Sequence, residues 1–98
     1  MQVKTHKSYR NIIAICDTDL LGKKFEQDKF QLDVKESFYK GEEKSKQEIL
    51  DIIQKEDAED ATFNIVGKDS INTALESGVI AQESVGEIQG IPFALVLL

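Results

Sequence analysis

Two aspartates that follow a strongly apolar run are the first residues that could carry chemistry. Asp17 and Asp19 come directly after residues 12–16, and Leu20 and Leu21 follow them. Because aspartate side chains accept hydrogen bonds from the first amides of a helix, this spacing predicts that the pair caps a short helical turn through the two leucines. A calcium loop would need a third ligand at the same spacing and a distal glutamate, which are missing here. No metal is therefore predicted.

The chain contains one histidine, His6, and one cysteine, Cys16. A structural zinc site takes four nitrogen or sulfur ligands and a disulfide takes two cysteines, so neither is predicted. His6 is predicted to be exposed and chemically inert on an edge strand. Cys16 ends the most apolar run, which predicts a buried, inert thiol with a raised pKa. The alternative, a Cys–His pair that meets across a hairpin, stays open.

A glycine between a predicted strand and a predicted helix invites comparison with a phosphate-binding loop. The comparison with a P-loop fails, because Thr62 stands where a glycine is needed and Asp69 stands where serine or threonine is needed. A weaker hypothesis survives, in which the helix N-terminus at Gly67, flanked by Asn64 and Lys68, meets a single phosphate or carboxylate. The alternative is an ordinary strand-to-helix turn.

Two segments place aromatic rings beside lysines, namely residues 23–25 and residues 38–41. Single-stranded nucleic acid uses this combination, because its bases stack on rings and its phosphates meet cations. In the alternative interpretation, Phe25 and Phe38 are core residues beside solvated lysines. In the nucleic-acid hypothesis the lysines neutralise phosphate and the tyrosine stacks or hydrogen-bonds. The predicted binding residues are Lys23, Lys24, Tyr39, Lys40, Asn64 and Lys68.

The charge is unevenly distributed over the 98 residues, whose net charge is −6. Residues 1–46 carry ten cations and eight acids, a balance of +2, whereas residues 47–98 carry two cations and ten acids, a balance of −8. This argues against a basic coat protein, and no DNA partner is expected, but a positive surface on the first half is compatible with it. The acidic half favours an alternative function, a protein-interaction adaptor that meets a basic partner through Glu56, Asp57, Glu59 and Asp60.

Hydrophobic periodicity predicts the elements that must position these residues. Strands are predicted at residues 2–6, 12–16, 30–34, 61–66 and 93–98, with the first two forming a hairpin. A capping box from Ser45 to Glu48 predicts the start of one helix, which should end before the acidic residues that begin at Glu56. A second helix is predicted over residues 68–77, with Gly78 at its C-terminus, and residues 90–92 are predicted to form a turn.

These elements predict an α+β fold, a two-layer α/β sandwich in which two main helices cover one face of a mixed sheet of about four or five strands. The length predicts a single domain spanning residues 1–98. The strand at residues 12–16 should be central and buried on both faces, and the apolar closing strand should be buried as well. No apolar run approaches the roughly 20 residues that span a bilayer, so a cytoplasmic protein without a membrane partner is expected.

Four blocks of the sequence together carry a resemblance to a known family. They are Ala14-Ile15-Cys16-Asp17-x-x-Leu20-Leu21-Gly22-Lys23-x-Phe25, Leu32-Asp33-Val34-x-Glu36-x-Phe38-Tyr39-x-Gly41-Glu42, Asn64-Ile65-Val66-Gly67 and Gly90-Ile91-Pro92. In order and spacing they resemble the archaeal domain-of-unknown-function 424 family over essentially the whole chain, and this combination is specific although each block alone is weak. This chain departs from the family pattern at Phe93, where histidine is common, and at Phe63, where alanine is common.

The resemblance implies a cytoplasmic archaeal protein of two-layer α/β architecture whose suggested role is RNA binding or translation. The first hypothesis is therefore a small RNA-binding or ribosome-associated module, with RNA or a translation protein as partner and no cofactor. The adaptor is the second. An enzyme is the least favoured, because it would need carboxylate chemistry around Asp17, Asp19 and Asp33, for which the spacing gives no support.

Overall fold

A computed structural model describes residues 1–97 and shows a mixed α+β fold, as the sequence predicts. Two 3-10 turns, Thr18–Leu20 and Gln82–Ser84, complete the regular structure. In chain order the elements are β1 (Gln2–His6), β2 (Ile12–Cys16), β3 (Lys24–Gln27), β4 (Phe30–Asp33), α1 (Glu36–Tyr39), β5 (Glu42–Glu43), α2 (Lys46–Ala58), β6 (Thr62–Val66), α3 (Lys68–Ser77), β7 (Gly86–Ile88) and β8 (Ile91–Val96).

Six strands form the main sheet in the order β5-β1-β2-β6-β8-β7, and β3 and β4 form a separate two-stranded sheet. β1 and β2 are the predicted antiparallel hairpin, β2 runs parallel to β6, and β8 runs antiparallel to β6. The main sheet is larger than the four or five strands expected, because β5 has two residues and β7 has three. Strands this short are below the length at which alternation gives a pattern.

One face of the sheet is covered by α2 and α3, the two main helices that the sequence predicts. Alternation along β2 and β6 sends Ile13, Ile15, Phe63 and Ile65 to this face, and all four are 0% exposed. Burial of a side chain of this size stabilises the fold by roughly 1.5–3 kcal/mol. The helices pack onto them with Ile49, Ile53, Ile71 and Ala74.

The opposite face is covered only in part, by the β3–β4 hairpin, α1 and the first 3-10 turn. Ala14, Cys16 and Val66 point to this side, and Val34 and Tyr39 pack against them in a second core cluster. Burial on both faces confirms the prediction for β2. β3 was not predicted, because Phe25 is its single apolar residue and no alternating pattern results.

The closing strand differs from its prediction at both ends. β8 begins at Ile91, and the turn before it lies at Gln89 and Gly90, whose φ angles of 50° and 78° are both left-handed. This two-residue turn between antiparallel strands is the type that favours positive φ at both positions. Leu95 and Leu97 are 55% and 71% exposed, so the prediction that the whole run is buried is wrong there. Residue 98 lies outside the described residues.

The capping box at the start of α2 is confirmed, because the Ser45 hydroxyl accepts from the Glu48 amide at 3.3 Å and the Glu48 carboxylate accepts from the Ser45 amide at 2.9 Å. That second bond lowers the pKa of Glu48. The predicted end of the helix is wrong, since α2 continues through Glu56 to Ala58. The Glu56 carboxylate accepts from the Asn11 side chain at 3.3 Å, and its carbonyl accepts from the Ala61 amide, so the acidic turn is anchored.

Replacing Ser45 with alanine is expected to lower the free energy of unfolding by about 1 kcal/mol, the usual cost of losing an N-terminal cap. The hydroxyl is the lost acceptor, and the Glu48 side chain loses the turn geometry that holds it over the Ser45 amide. Urea unfolding followed by circular dichroism measures the change. Ser84→Ala, in the second 3-10 turn, is the control and should be neutral; equal losses in both variants would contradict a capping role.

Candidate nucleic-acid interface

The N-terminus of α3 is capped by a residue from a distant part of the chain. The Asp17 carboxylate accepts hydrogen bonds from the Asp69 amide at 3.2 Å and from the Ser70 amide and hydroxyl, each at 2.8 Å. The prediction that Asp17 caps its own turn is wrong, because no side-chain cap bond is present at Thr18–Leu20 in the described structure. Its side chain turns instead toward the helix that starts beside it in space.

The lack of a side chain at Gly67 leaves room for the Asp17 carboxylate. Its φ is +110°, and a Cβ atom there would lie 2.3 Å from the Asp17 Cγ. The loop that could have met an external phosphate is therefore filled by the chain's own carboxylate. Lys68 lines a shallow depression together with Asp17, Asp19 and Asp69, so it lies among carboxylates. A phosphate at this helix N-terminus would have to displace an anion already bound there.

The four predicted lysines lie on three separate elements. Lys23 and Lys24 are exposed at the start of β3, where Lys24 stands opposite Asp33. Lys40 follows α1, with its Nζ 3.9 Å from the Glu36 carboxylate, and Lys68 is the first residue of α3. The described structure gives no shared contact that joins these lysines into one surface.

Tyr39 belongs to the core, because it is only 7% exposed. Its ring meets the edge of Phe38 with the centroids 5.0 Å apart. Burial, and then the nearby Cys16, raises the pKa of Tyr39 to about 12. A base needs an open ring face to stack on, and this ring offers almost none. Tyr39 therefore stabilises the second core cluster rather than presenting a face to a ligand.

His6 is half-buried and bonded, so the prediction that it is exposed is wrong. Its Nε2 is 2.8 Å from the Phe38 carbonyl, which can only accept, so Nε2 carries the proton. The imidazole also stacks on the Phe38 ring with the centroids 4.5 Å apart. The Lys4 Nζ donates to the carbonyl of Ser37, the residue before Phe38, at 2.9 Å. These two β1 side chains thus hold the C-terminal end of α1 against the sheet.

Cys16 is buried as predicted, at 0% exposure, and burial, followed by the neighbouring Asp17, raises its pKa to about 12. The hairpin register pairs Gln2 with Cys16 and His6 with Ile12. Cys16 and His6 therefore lie at opposite ends of the hairpin, about 13 Å apart at the usual rise per residue. The open alternative of a Cys–His pair is excluded.

Part of the face opposite the helices remains accessible, and we call its residues the open sheet face. Asn64 lies there, between Ala14 of β2 and Leu95 of β8 in the strand register. Asn64 is half-buried and Leu95 is exposed. Of the residues predicted to bind nucleic acid, Asn64 lies on this surface. The open sheet face consists of Ile12, Thr62, Asn64, Leu95 and Leu97.

The β1–β2 loop, residues 7–10, borders the open sheet face and was missed as a candidate. Tyr9 is 100% exposed, and Lys7 and Arg10 beside it are exposed as well. The carbonyl of Asn11 accepts from the Thr62 amide at 2.9 Å, which fixes the end of the loop to the start of β6. The signal was present in the sequence, since Lys7-Ser8-Tyr9-Arg10 has the same ring-and-cation spacing as the predicted segments.

Within residues 1–97, no three His, Cys, Asp or Glu side chains are grouped so that they could hold a metal ion. Among the helices described, none combines the length and the apolar composition needed to cross a bilayer.

The sequence model of a family described as "Protein of unknown function (DUF424)" matches residues 5–98. Comparison with curated proteins gave no match. Among solved structures, an uncharacterized conserved protein from Methanopyrus kandleri is similar, with a TM-score of 0.77 and 24% sequence identity over 97% of this chain and 88% of that chain. At this identity the likeness shows a shared fold.

Proposed function

The chain belongs to the DUF424 family of proteins of unknown function, and from that premise we propose that it is a small RNA-binding module. The contact surface is the β1–β2 loop together with the adjoining open sheet face, and the ligand is single-stranded RNA. The association with translation that the family resemblance implies is part of this proposal. The RNA recovered in the pull-down from lysate tests the association with translation.

Tyr9 is the observation that carries the proposal. A tyrosine ring that is 100% exposed makes no packing contribution to its own fold, yet it stands between two exposed cations, Lys7 and Arg10. Stacking of a base on an exposed ring is worth about 1–3 kcal/mol, and adjacent cations can meet the phosphates on either side of that base. The loop therefore combines both requirements for binding a single strand within four residues.

The distribution of charge supports the same side of the molecule. Residues 1–16, which form β1, the loop and β2, carry Lys4, Lys7 and Arg10 and no acidic residue. β6 and β8, which complete the open sheet face, have no charged residue at all. The two main helices and the turn that follows α2, residues 46–61 and 68–77, carry three lysines against eight acids, a balance of −5. A polyanion is therefore repelled from the helices and meets least repulsion at the loop and the open sheet face.

Asn64 gives the surface a polar group that can recognise a base. Its carboxamide carries two donors and an acceptor, and it lies among otherwise apolar neighbours on the open sheet face. Unstacked bases are commonly recognised by hydrogen bonds to their edges, and in this proposal Asn64 makes such bonds to a neighbouring base of the strand that stacks on Tyr9.

Tyr9→Ala is expected to weaken binding of a labelled single-stranded RNA by about 5- to 150-fold, corresponding to the loss of one stacked base. Removing the cation in Arg10→Gln should lower the slope of log affinity against log salt by about 0.7. Fluorescence anisotropy over a salt series measures both. The matched control is the double variant Lys23→Gln/Lys24→Gln, which removes two exposed lysines elsewhere and should change affinity little. If the control weakens binding as strongly as Tyr9→Ala, the interface lies on β3 instead.

A pull-down from lysate, split into RNase-treated and untreated arms, separates this proposal from the adaptor alternative. We expect RNA to be recovered, and protein partners to disappear after RNase. Protein partners that survive RNase, with no RNA recovered, would replace RNA binding with the adaptor. Reversal of the acidic residues at the end of α2 to lysine should then abolish the complex. These residues are Glu56, Asp57, Glu59 and Asp60.

A further inference from the structure

The outer edge of β8 is only partly paired. β7 pairs with Ile91, Pro92 and Phe93. Beyond Phe93 the same edge continues for residues 94–97 without a partner strand among the described residues. The chain between α3 and β7 leaves a depression beside this edge, lined by Gly78, Val79 and Ala81 together with Leu95 and Leu97.

The backbone groups that point out of this edge can be assigned from the ladder. The Gly67 amide donates to the Pro92 carbonyl at 2.9 Å, so even-numbered residues of β8 direct their backbone groups toward β6. The amide and carbonyl of Leu95 therefore point outward. Extension of the strand by one residue beyond β8 directs those of Leu97 outward as well. No backbone hydrogen bond from a turn or loop within residues 1–97 reaches either residue.

The side chains along this edge include no charged residue that would prevent it from pairing with a strand of another chain. Leu95 and Leu97 are 55% and 71% exposed, and residues 90–98 include no charged side chain. The free edge of β1 is different, because Lys4, Lys44 and Lys55 line the depression beside it. Lysines and other charges normally protect an exposed edge from pairing with another strand. The β8 edge is unprotected in this sense.

We propose that two copies of the chain associate through antiparallel pairing of their β8 edges, which joins the two main sheets into one. With the two-fold axis at Val96, Leu95 of one copy stands opposite Leu97 of the other, and the outward amides and carbonyls form four hydrogen bonds. Both leucines of each copy lie on the same face, so the four side chains cover one another.

A second copy fits this edge better than a charged partner. The net charge of −6 repels two copies over most of their surfaces, whereas the β8 edge brings no charged side chain to the contact. A basic or acidic segment docked there would find no counter-charge on residues 94–97 or on Gly78, Val79 and Ala81. The uncharged apolar edge is complementary to itself, which a two-fold interface requires.

Sedimentation equilibrium over a range of concentrations tests the proposal. The mass should rise from the 11.0 kDa of one chain toward twice that value as concentration increases. Leu97→Lys should lose the dimer, because it places a charge opposite an apolar side chain of the partner. Phe30→Lys is the matched control, since Phe30 is 68% exposed on the separate β3–β4 sheet, and it should dimerise normally. A single-chain mass at all concentrations, or equal effects of both variants, would overturn the proposal.

Hydrogen exchange on the unsubstituted chain gives a second readout that does not depend on the folding of a variant. The Leu95 and Leu97 amides should become protected as concentration rises, while the Ala94 and Val96 amides, which face β6, should be protected throughout. Protection that appears only when a different protein is added would mean that the edge pairs with another chain, and would overturn self-association. Leu95 and Leu97 also belong to the open sheet face, but RNA binding is tested at Tyr9 and Arg10, and self-association is tested without RNA. Failure of either proposal can therefore be told apart from failure of the other.

Discussion

Replacement of Asp17 with alanine is expected to lower the free energy of unfolding by about 3 kcal/mol. The carboxylate is the acceptor for two amides and one hydroxyl at the start of α3. Loss of a helix cap alone costs about 1 kcal/mol. Ser70 is 0% exposed, so its amide and hydroxyl would remain buried without a partner, at about 1–3 kcal/mol for such groups.

Gly67→Ala should be as costly, for two separable reasons. The φ of +110° strains any residue with a Cβ, and that Cβ would collide with the Asp17 carboxylate at 2.3 Å. In the double variant Asp17→Ala/Gly67→Ala the collision disappears while the strain remains. The double variant should therefore lose less stability than the sum of the losses in the two single variants. A double-mutant cycle measured by urea unfolding detects this difference.

Asp19→Ala is the control for this cycle. Asp19 is an exposed acid two residues away that makes no side-chain hydrogen bond in the described structure, and a surface change of this kind usually stays within about 0.5 kcal/mol. Equal effects of Asp17→Ala and Asp19→Ala would show that general charge, rather than the cap, stabilises this region. Strict additivity of the Asp17 and Gly67 variants would show that the Cβ introduced at position 67 does not contact the Asp17 carboxylate.

Local signals in the sequence were enough to predict most of the fold. The capping box at Ser45 depends on residues three apart, the left-handed cap at Gly78 depends on one helix end, and the apolar run of β2 reports its own burial. The features that escaped prediction are set by distant contacts. Asp17 and Ser70 are 53 residues apart, and the sequence around Asp17 does not indicate which helix its carboxylate caps.

The candidate site was harder to predict, because exposure depends on which element covers which strand. His6 and Tyr39 were judged from their immediate neighbours, yet α1 folds back over β1 and buries part of one and nearly all of the other. Asn64 stays partly accessible because the β3–β4 hairpin and α1 cover Val66 on this face of β6 but leave Thr62 and Asn64 half-exposed. Tyr9 shows the reverse case, in which a ring with no apolar neighbours in sequence finds none in space.

Raising the pH from about 8 to about 10.5 is expected to lower the free energy of unfolding by about 3 kcal/mol, with Cys16 as the main cause. Burial raises the pKa of Cys16 from 9.0 to about 12 and that of Tyr39 from 10.0 to about 12. Below about pH 8 both groups are protonated in the folded and the unfolded chain, so they contribute almost no pH dependence. Above it the unfolded chain releases protons that the folded chain retains, and stability falls until the folded groups also titrate near pH 12.

Two variants divide this loss between the two groups. By pH 10.5 the thiol accounts for about 2 kcal/mol and the phenol for about 1 kcal/mol, from 1.36 kcal/mol per pKa unit. Cys16→Ala should therefore remove most of the alkaline slope even if it lowers stability at pH 7, and Tyr39→Phe should remove the smaller part. Urea unfolding at a series of pH values measures the slope for each variant. If the Cys16→Ala variant keeps the full slope of unfolding free energy against pH, the thiol ionises as easily in the folded chain as in the unfolded chain. That result would contradict a raised pKa for the buried thiol.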